Sequence, residues 1–301
     1  MLTTVPFNIL WAIGQLGKNK PTDVAAAQVL LNLANKSGIP PLPVDGKWSP
    51  QMLEALRTFE IKYMRRSTVS LSLEPGSTTI RALIVAAIPK ARIATHLPSG
   101  KASAISDRDY EDAAQSIGCE AAAVRAVAAV ESAGRGFLPS GRPKILFESH
   151  VFSKITGHVY DPLFPDISTR HQNAALYKGG EHEYPRLMKA MLLNRTAALK
   201  SASWGKFQII GNFCKEADSP DIESFVSAMC QSERAQLDAF CAFVRSKKLV
   251  GAMKSHDWAT FARGYNGPEF WKKHYDRRIK EEFEKAERGH RAHGGKPVAA
   301  P

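Results

Sequence analysis

Residues 120–152 read EAAAVRAVAAVESAGRGFLPSGRPKILFESHVF, and the organisation of the chain follows from this stretch. Between Ala121 and Val130 only Arg125 interrupts the apolar run, which predicts a helix that stops at Ser132-Ala133-Gly134. Val124, Val127 and Glu131 are spaced i, i+3, i+7, so the acid projects from the same side as two core valines. An ionised carboxylate there is partly desolvated. It also lies in the last turn, among carbonyls carrying partial negative charge, and both effects favour the protonated form. Raising a Glu from about 4.3 to about 6 corresponds to roughly 2 kcal/mol of differential interaction. A carboxyl held protonated near neutral pH is what a general acid for glycosidic-bond cleavage requires. A Glu that simply emerges into solvent as its helix ends fits the same residues, and on this stretch alone it is the better reading.

A chain of 301 residues is long enough for one small and one ordinary domain, and 44% hydrophobic with 23% charged residues is the composition of a folded globular protein. The net charge of +12 implies an anionic partner: nucleic acid, an acidic membrane surface or a carboxylate-bearing wall polymer. No nucleic-acid module is recognisable, which argues against the first. Cys119, Cys214, Cys230 and Cys241 have no CxxC spacing and no His/Cys clusters, so they read as reduced thiols, with neither a zinc site nor a disulfide framework. No apolar run approaches the roughly 20 residues of a membrane span. The opening MLTTVPFNILWAIGQLG has no basic leader and no cleavage site, and reads as the first helix of a domain.

Asp23 to Leu31 predicts an amphipathic helix fading at Ser37-Gly38, followed by an extended Pro40-Pro41-Leu42-Pro43. Val44 to Pro50 predicts a turn, with Ser49 capping a helix whose first residue is Pro50 and which carries Leu53, Leu56, Phe59 and Glu60. A Pro-Gly turn at Pro75-Gly76 leads into a third helix, Thr78 to Ala87, and Pro89 to Ser106 reads as linker. Ser106 and Asp109 form a capping-box pattern for a helix ending at Gly118. Further helices are expected from Tyr184 to Leu193, from Ser219-Pro220-Asp221 with a buried stripe through Phe225, Met229, Leu237, Phe240 and Val244, around Trp258-Phe261, and from Phe270 to Phe283. The end of the chain beyond Gly289 is basic and reads as a disordered tail.

The run Gln28…Leu31…Val44-Asp45-Gly46-Lys47-Trp48-Ser49…Leu56…Phe59-Glu60…Gly76…Leu83 resembles the three-helix peptidoglycan-binding module of many wall hydrolases. The resemblance implies a wall-binding role centred on Asp45, Gly46 and Trp48. Ser49 and Glu60 depart from the second Gly and the Gln usual in that family.

Three later segments, Val130-Glu131-Ser132, Ser203-Trp204-Gly205-Lys206-Phe207-Gln208-Ile209 and Tyr265-Asn266-Gly267, are similar in order and type to those of the lysozyme and lytic-transglycosylase superfamily. They resemble most closely the N-acetylmuramidase domain of modular phage endolysins, over residues 106–283. The likeness implies that Glu131 protonates the glycosidic oxygen and that Ser203, Trp204, Gln208, Tyr265 and Asn266 line the glycan groove. Trp204 fits a core ring equally well, and Tyr265-Asn266 before Gly267-Pro268 fits a plain helix end. Where the family has Phe-Glu-Arg-His, this chain has Phe147-Glu148-Ser149-His150.

Glycoside hydrolysis commonly uses a second carboxylate. Glu148, after the apolar and strand-like Lys144-Ile145-Leu146-Phe147, is the first candidate, and a buried acid tying the loop down is the even alternative. Glu183 is the weaker candidate, better explained as a solvated helix start. His182-Glu183 does not continue into H-E-x-x-H, and no G-x-S-x-G elbow or phosphate loop is present, which disfavours a zinc peptidase or serine hydrolase.

The expectation is an all-α protein with four parts: a three-helix peptidoglycan-binding domain (1–90), a linker (91–105), a lysozyme-like catalytic domain (106–288) and a basic tail (289–301). It would be a peptidoglycan hydrolase acting as a monomer without metal or organic cofactor. Made without a signal peptide, it would reach the periplasm after holin-type membrane permeabilisation. The basic C-terminal helix, with Lys272, Lys273, Arg277 and Arg278, adds a possible contact with anionic outer-membrane lipid. A lytic transglycosylase, a secreted antibacterial effector and a non-catalytic wall-binding protein share these features and stay open.

Overall fold

The computed structural model describes residues 3–35, 40–98, 100, 103–132 and 135–292, excluding the side chains of 132 and 289–292. The expected helix end at Ser37-Gly38, the stop at Ala133-Gly134 and most of the basic tail lie outside the described residues. In chain order the elements are β1 (Ile13–Gly14), α1 (Pro21–Ala34), α2 (Pro50–Lys62), β2 (Ser72–Leu73), α3 (Thr78–Ala94), α4 (Asp107–Ile117), α5 (Ala121–Ser132), β3 (Ile145–Phe147) and α6 (Ser149–Ile155). Then come α7 (Glu183–Lys200), β4 (Ala202–Trp204), β5 (Ile209–Ile210), α8 (Ile222–Gln231), α9 (Glu233–Ser246), α10 (Val250–Lys254), α11 (Trp258–Asn266) and α12 (Tyr275–Ala292). Helices dominate, as expected; the strands are two or three residues long. The chain divides into two compact units: Met1–His96 with Glu148–Tyr177 and Tyr184–Ala198, and Leu97–Phe147 with Lys178–Glu183 and Leu199–Pro301.

In the first unit Ser49 caps α2 through its hydroxyl, which accepts from Met52 N at 3.2 Å, with Pro50 in the first turn. Three expectations fail here. The opening segment is not helical: Val5, Phe7 and Ile9 are buried while Thr4, Pro6, Asn8 and Leu10 are exposed, the two-residue alternation of extended chain, which then pairs β1 with β2. α1 is not amphipathic, because every residue from Asp23 to Leu31 is buried. α3 does not stop at Ala87 but runs through Pro89 to Ala94, into the expected linker. Pro89, which has no N–H to offer the carbonyl of Val85, sits on the exposed side, while Ala86, Ala87 and Ala91 keep the helix on the core. The Arg195 guanidinium donates to the Ala94 carbonyl at 2.8 Å and closes that end.

In the second unit the Ser106/Asp109 capping box opens α4, and Gly118, in the left-handed conformation, ends it. β3, β4 and β5 form an antiparallel sheet in that order, with Ile145 opposite Trp204 and Trp204 opposite Ile209. The stripe from Phe225 to Val244 is buried as expected, but on two helices. Ser232 is extended, and its side chain accepts from Ala235 N at 3.1 Å, so it caps α9 and breaks the run. His274, left-handed at φ 52°, separates a short 3-10 turn from α12, which buries Ile279 and Phe283.

Candidate active site

α5 places Glu131 one residue from its end, with Val124 and Val127 fully buried on the same side. Asn266, the last residue of α11, donates Nδ2 to Glu131 Oε1 at 2.7 Å. Arg278, on α12, donates to the carbonyl of Val130 at 3.2 Å, meeting one of the helix-end acceptors. Burial pushes the Glu131 carboxyl up to about 7, against the Asn266 hydrogen bond and the charges of Arg278 and Lys273, which favour the ionised form. The residue as a whole is only part-buried, so the acid is surrounded by protein yet open to a ligand.

Tyr265 precedes Asn266, and its hydroxyl donates to the Phe207 carbonyl at 2.6 Å. Burial, reinforced by the charge of Glu131, keeps the phenol protonated well above the usual tyrosine range. Phe207 and Gln208 lie in the turn joining β4 to β5. Gln208 is left-handed at φ 48°, and its amide donates to the Gly205 carbonyl at 2.8 Å. Its side-chain oxygen is the group it has left to offer a ligand. Ser203 is part-buried on the central strand, between Leu146 and Ile210. Trp204 is fully buried and donates its indole N–H to the Leu199 carbonyl at 3.1 Å, so it is a core ring and cannot stack on a sugar. Asn266 Oδ1 is buried without a hydrogen-bond partner.

Glu148 belongs to the first unit and Glu131 to the second. At the start of α6 the Glu148 carboxylate accepts from the Tyr177 hydroxyl, with His150 Nδ1 at 3.4 Å. Its side chain is 13% exposed, a largely enclosed acid held by a phenol rather than by an arginine or a backbone amide. Glu183 is not the solvated helix start that its position suggests. It is fully buried and accepts from three backbone amides, Phe147 N at 3.2 Å, Lys178 N at 2.6 Å and Gly179 N at 2.9 Å. Its role in fastening β3 to the 178–179 turn leaves no side-chain signal in the sequence, because all three partners are main-chain amides. Glu181 pairs with Arg142 of the loop beyond Glu131 at 2.5 Å.

In the N-terminal helices the side chain of Gln28, 1% exposed, grips the Asp45-Gly46 turn. Its oxygen accepts from Asp45 N at 3.1 Å and Gly46 N at 3.0 Å, and its amide donates to Asp45 Oδ1 at 2.8 Å. Gly46 has φ 71°, and a Cβ there would stand 2.7 Å from Leu163 Cδ2. Asp45 and Gly46 therefore build the turn, while the part-buried Trp48 beside them is left partly open.

Among the described residues no group of three His, Cys, Asp or Glu side chains could hold a metal ion, and no helix is long and apolar enough to cross a membrane. A family model described as N-acetylmuramidase matches residues 120–287, which span α5 to α12. The crystal structure of a Burkholderia AP3 phage endolysin is similar to this chain, with 32% sequence identity and a TM-score of 0.56 over 88% of this chain and 96% of that one. No curated protein matches. The match spans more than half of the chain and holds Glu131, the β4–β5 turn and the Tyr265-Asn266 pair, and the chain belongs to the N-acetylmuramidase family as an endolysin-type glycoside hydrolase acting on peptidoglycan.

Proposed function

We propose that the enzyme cleaves the β-1,4 bond between N-acetylmuramic acid and N-acetylglucosamine, with Glu131 as general acid. The observation that carries this reading is a carboxyl group buried enough to hold its proton to about pH 7 while Asn266 fixes one of its oxygens. With Oε1 accepting from Asn266, the proton rests on Oε2, from which it passes to the glycosidic oxygen as the C1–O bond breaks. Tyr265 supports Asn266 from the neighbouring position and stays neutral at working pH. Ser203 and the side-chain oxygen of Gln208 are assigned to the glycan groove, and Glu148, oriented by Tyr177, is the candidate second carboxylate.

Digestion of purified peptidoglycan by wild type and by Glu131→Gln, with product masses read out, tests the assignment. Reducing ends from the wild type and none from the variant support it. Equal release by both removes it, and 1,6-anhydro ends identify a lytic transglycosylase instead. Loss of activity in Glu148→Gln with Tyr177→Phe retained would assign the second role to the carboxylate itself.

The N-terminal helices are assigned to wall binding. Support comes from a mainly apolar groove between α1 and α2, lined by Leu31, Leu42, Phe59 and Tyr63 among others, with Asn32, Asn35, Thr58 and Lys62 as its polar residues. Pelleting with purified wall, reduced in Tyr63→Ala but not in Glu131→Gln, is the expected result. Action on the wall in the periplasm is part of the same reading. Lipid contact by α12 is the weaker reading, because its apolar side chains Ile279 and Phe283 are enclosed within the unit and its exposed face mixes Arg277, Lys280 and Lys285 with Glu281 and Glu284.

A further inference from the structure

Glu233 follows the Ser232 cap, where a first-turn acid normally faces water, yet its side chain is 9% exposed and that of its partner Lys206 is 6% exposed. One carboxylate oxygen accepts from Gly136 N at 2.6 Å and the other from Lys206 Nζ at 3.0 Å. Gln236, one turn further along α9, accepts from Lys206 N at 2.7 Å and donates to the Met229 carbonyl at 2.8 Å. Two glycines close on this amide: a Cβ at Gly136 would stand 2.2 Å from Gln236 Oε1, and one at Gly205 2.5 Å from Gln236 Cδ. A buried ion pair contributes little net stability, since desolvation offsets most of the attraction. Its significance lies in what it holds.

Gly136 is in the segment that leaves the Glu131 helix, and its carbonyl accepts from Lys144 N at 2.8 Å. Lys206 is in the β4–β5 turn, immediately before Phe207, whose carbonyl receives the Tyr265 hydroxyl. Tyr265 adjoins Asn266, which holds Glu131. One buried carboxylate thus fixes both the backbone beyond the acid and the turn on which its holder leans.

We propose that Glu233, acting through Lys206 and the Gly136 amide, is a positioning residue of the muramidase reaction: it sets the β4–β5 turn and the Gly136 segment in register around Glu131. The inference rests on Glu131 being the general acid. Displacing a supporting group by about 1 Å is enough to cost about 100-fold in rate.

The test compares wild type, Glu233→Gln, Lys206→Met, the neutral double variant and Glu131→Gln on purified peptidoglycan. Each is assayed for kcat, KM, the pH–rate profile and cooperative thermal unfolding. The expected result for Glu233→Gln is a fall of about 100-fold in kcat with KM within about twofold. The double variant leaves no orphaned charge buried, so it remains a folded probe where a single change fails to fold, and its loss matches the worse single one rather than the sum. In the double variant the alkaline limb also moves up, because a loosened Asn266 no longer favours ionised Glu131, while Arg278, Lys273 and Tyr265 around that acid are untouched. A purely structural role would scale the profile without moving it. A folded Glu233→Gln or double variant with wild-type kcat, or an unshifted profile, overturns the proposal. If Glu131→Gln stays active, the acid assignment falls instead, whatever Glu233 does.

Discussion

Asn266 Nδ2 lies 2.7 Å from Glu131 Oε1, a hydrogen bond between the last residue of α11 and the penultimate residue of α5, 135 positions apart in the chain. It opposes the burial that protonates Glu131: burial removes water from the ionised form, and the amide gives part of that solvation back. The acid is therefore held close to neutrality rather than driven far above it, the condition under which a group both keeps a proton and can release it.

Activity carried by protonated Glu131 is expected to be high below about pH 7 and to fall above it, since the carboxyl is raised to about 7. Glu131→Gln cannot donate and is expected to lose about 100- to 10,000-fold in kcat. Release of labelled fragments from purified peptidoglycan between pH 4 and 9 measures both; a wild-type rate still rising above pH 8 would contradict the assignment.

The same shift makes a stability prediction. A carboxyl whose folded-state pKa is raised from 4.5 to about 7 favours the fold fully below pH 4.5, and that contribution is lost as pH rises to about 7. Glu131→Gln has no charge to bury. It should match wild type near pH 4 and exceed it at pH 8, by at most ~3 kcal/mol. Thermal unfolding at the two pH values checks this, and a difference independent of pH would exclude burial as the cause.

Asn266→Ala removes the group that favours ionised Glu131, so the alkaline limb of kcat is expected to move to higher pH while the plateau falls. Arg278→Met should move the limb the same way, because its charge also lowers the Glu131 pKa. A downward shift in either variant would reverse the electrostatic account.

Trp204 is expected to act through stability rather than substrate. Trp204→Ala should destabilise by ~3–5 kcal/mol as a core truncation, and Trp204→Phe should leave KM unchanged while losing the hydrogen bond to Leu199. A raised KM in a fully folded Trp204→Phe would return the ring to the groove.

Local physics was legible before the structure. The Ser49-Pro50 start of α2, the Ser106/Asp109 capping box, the Gly118 stop and the Val124–Val127–Glu131 face each depend on residues within one or two helical turns, and sequence spacing alone fixes them. An apolar run such as the opening segment suits a helix or a strand, and only the burial of Val5, Phe7 and Ile9 in alternation separates the two. α3 passes Pro89 because a packed face outweighs one lost hydrogen bond on the solvent side.

The sequence by itself determined a mostly helical chain with an acid at the end of a buried helix and, by likeness of three short segments, its muramidase kind. Only tertiary structure decided that Asn266 grips that acid, that Trp204 belongs to the core, and that Glu183 and Glu233 are buried clasps rather than solvated helix starts. Helix caps and periodicities are set by neighbours along the chain. Burial and long-range hydrogen bonds depend on which surfaces meet after folding, and no spacing within a helix carries that information.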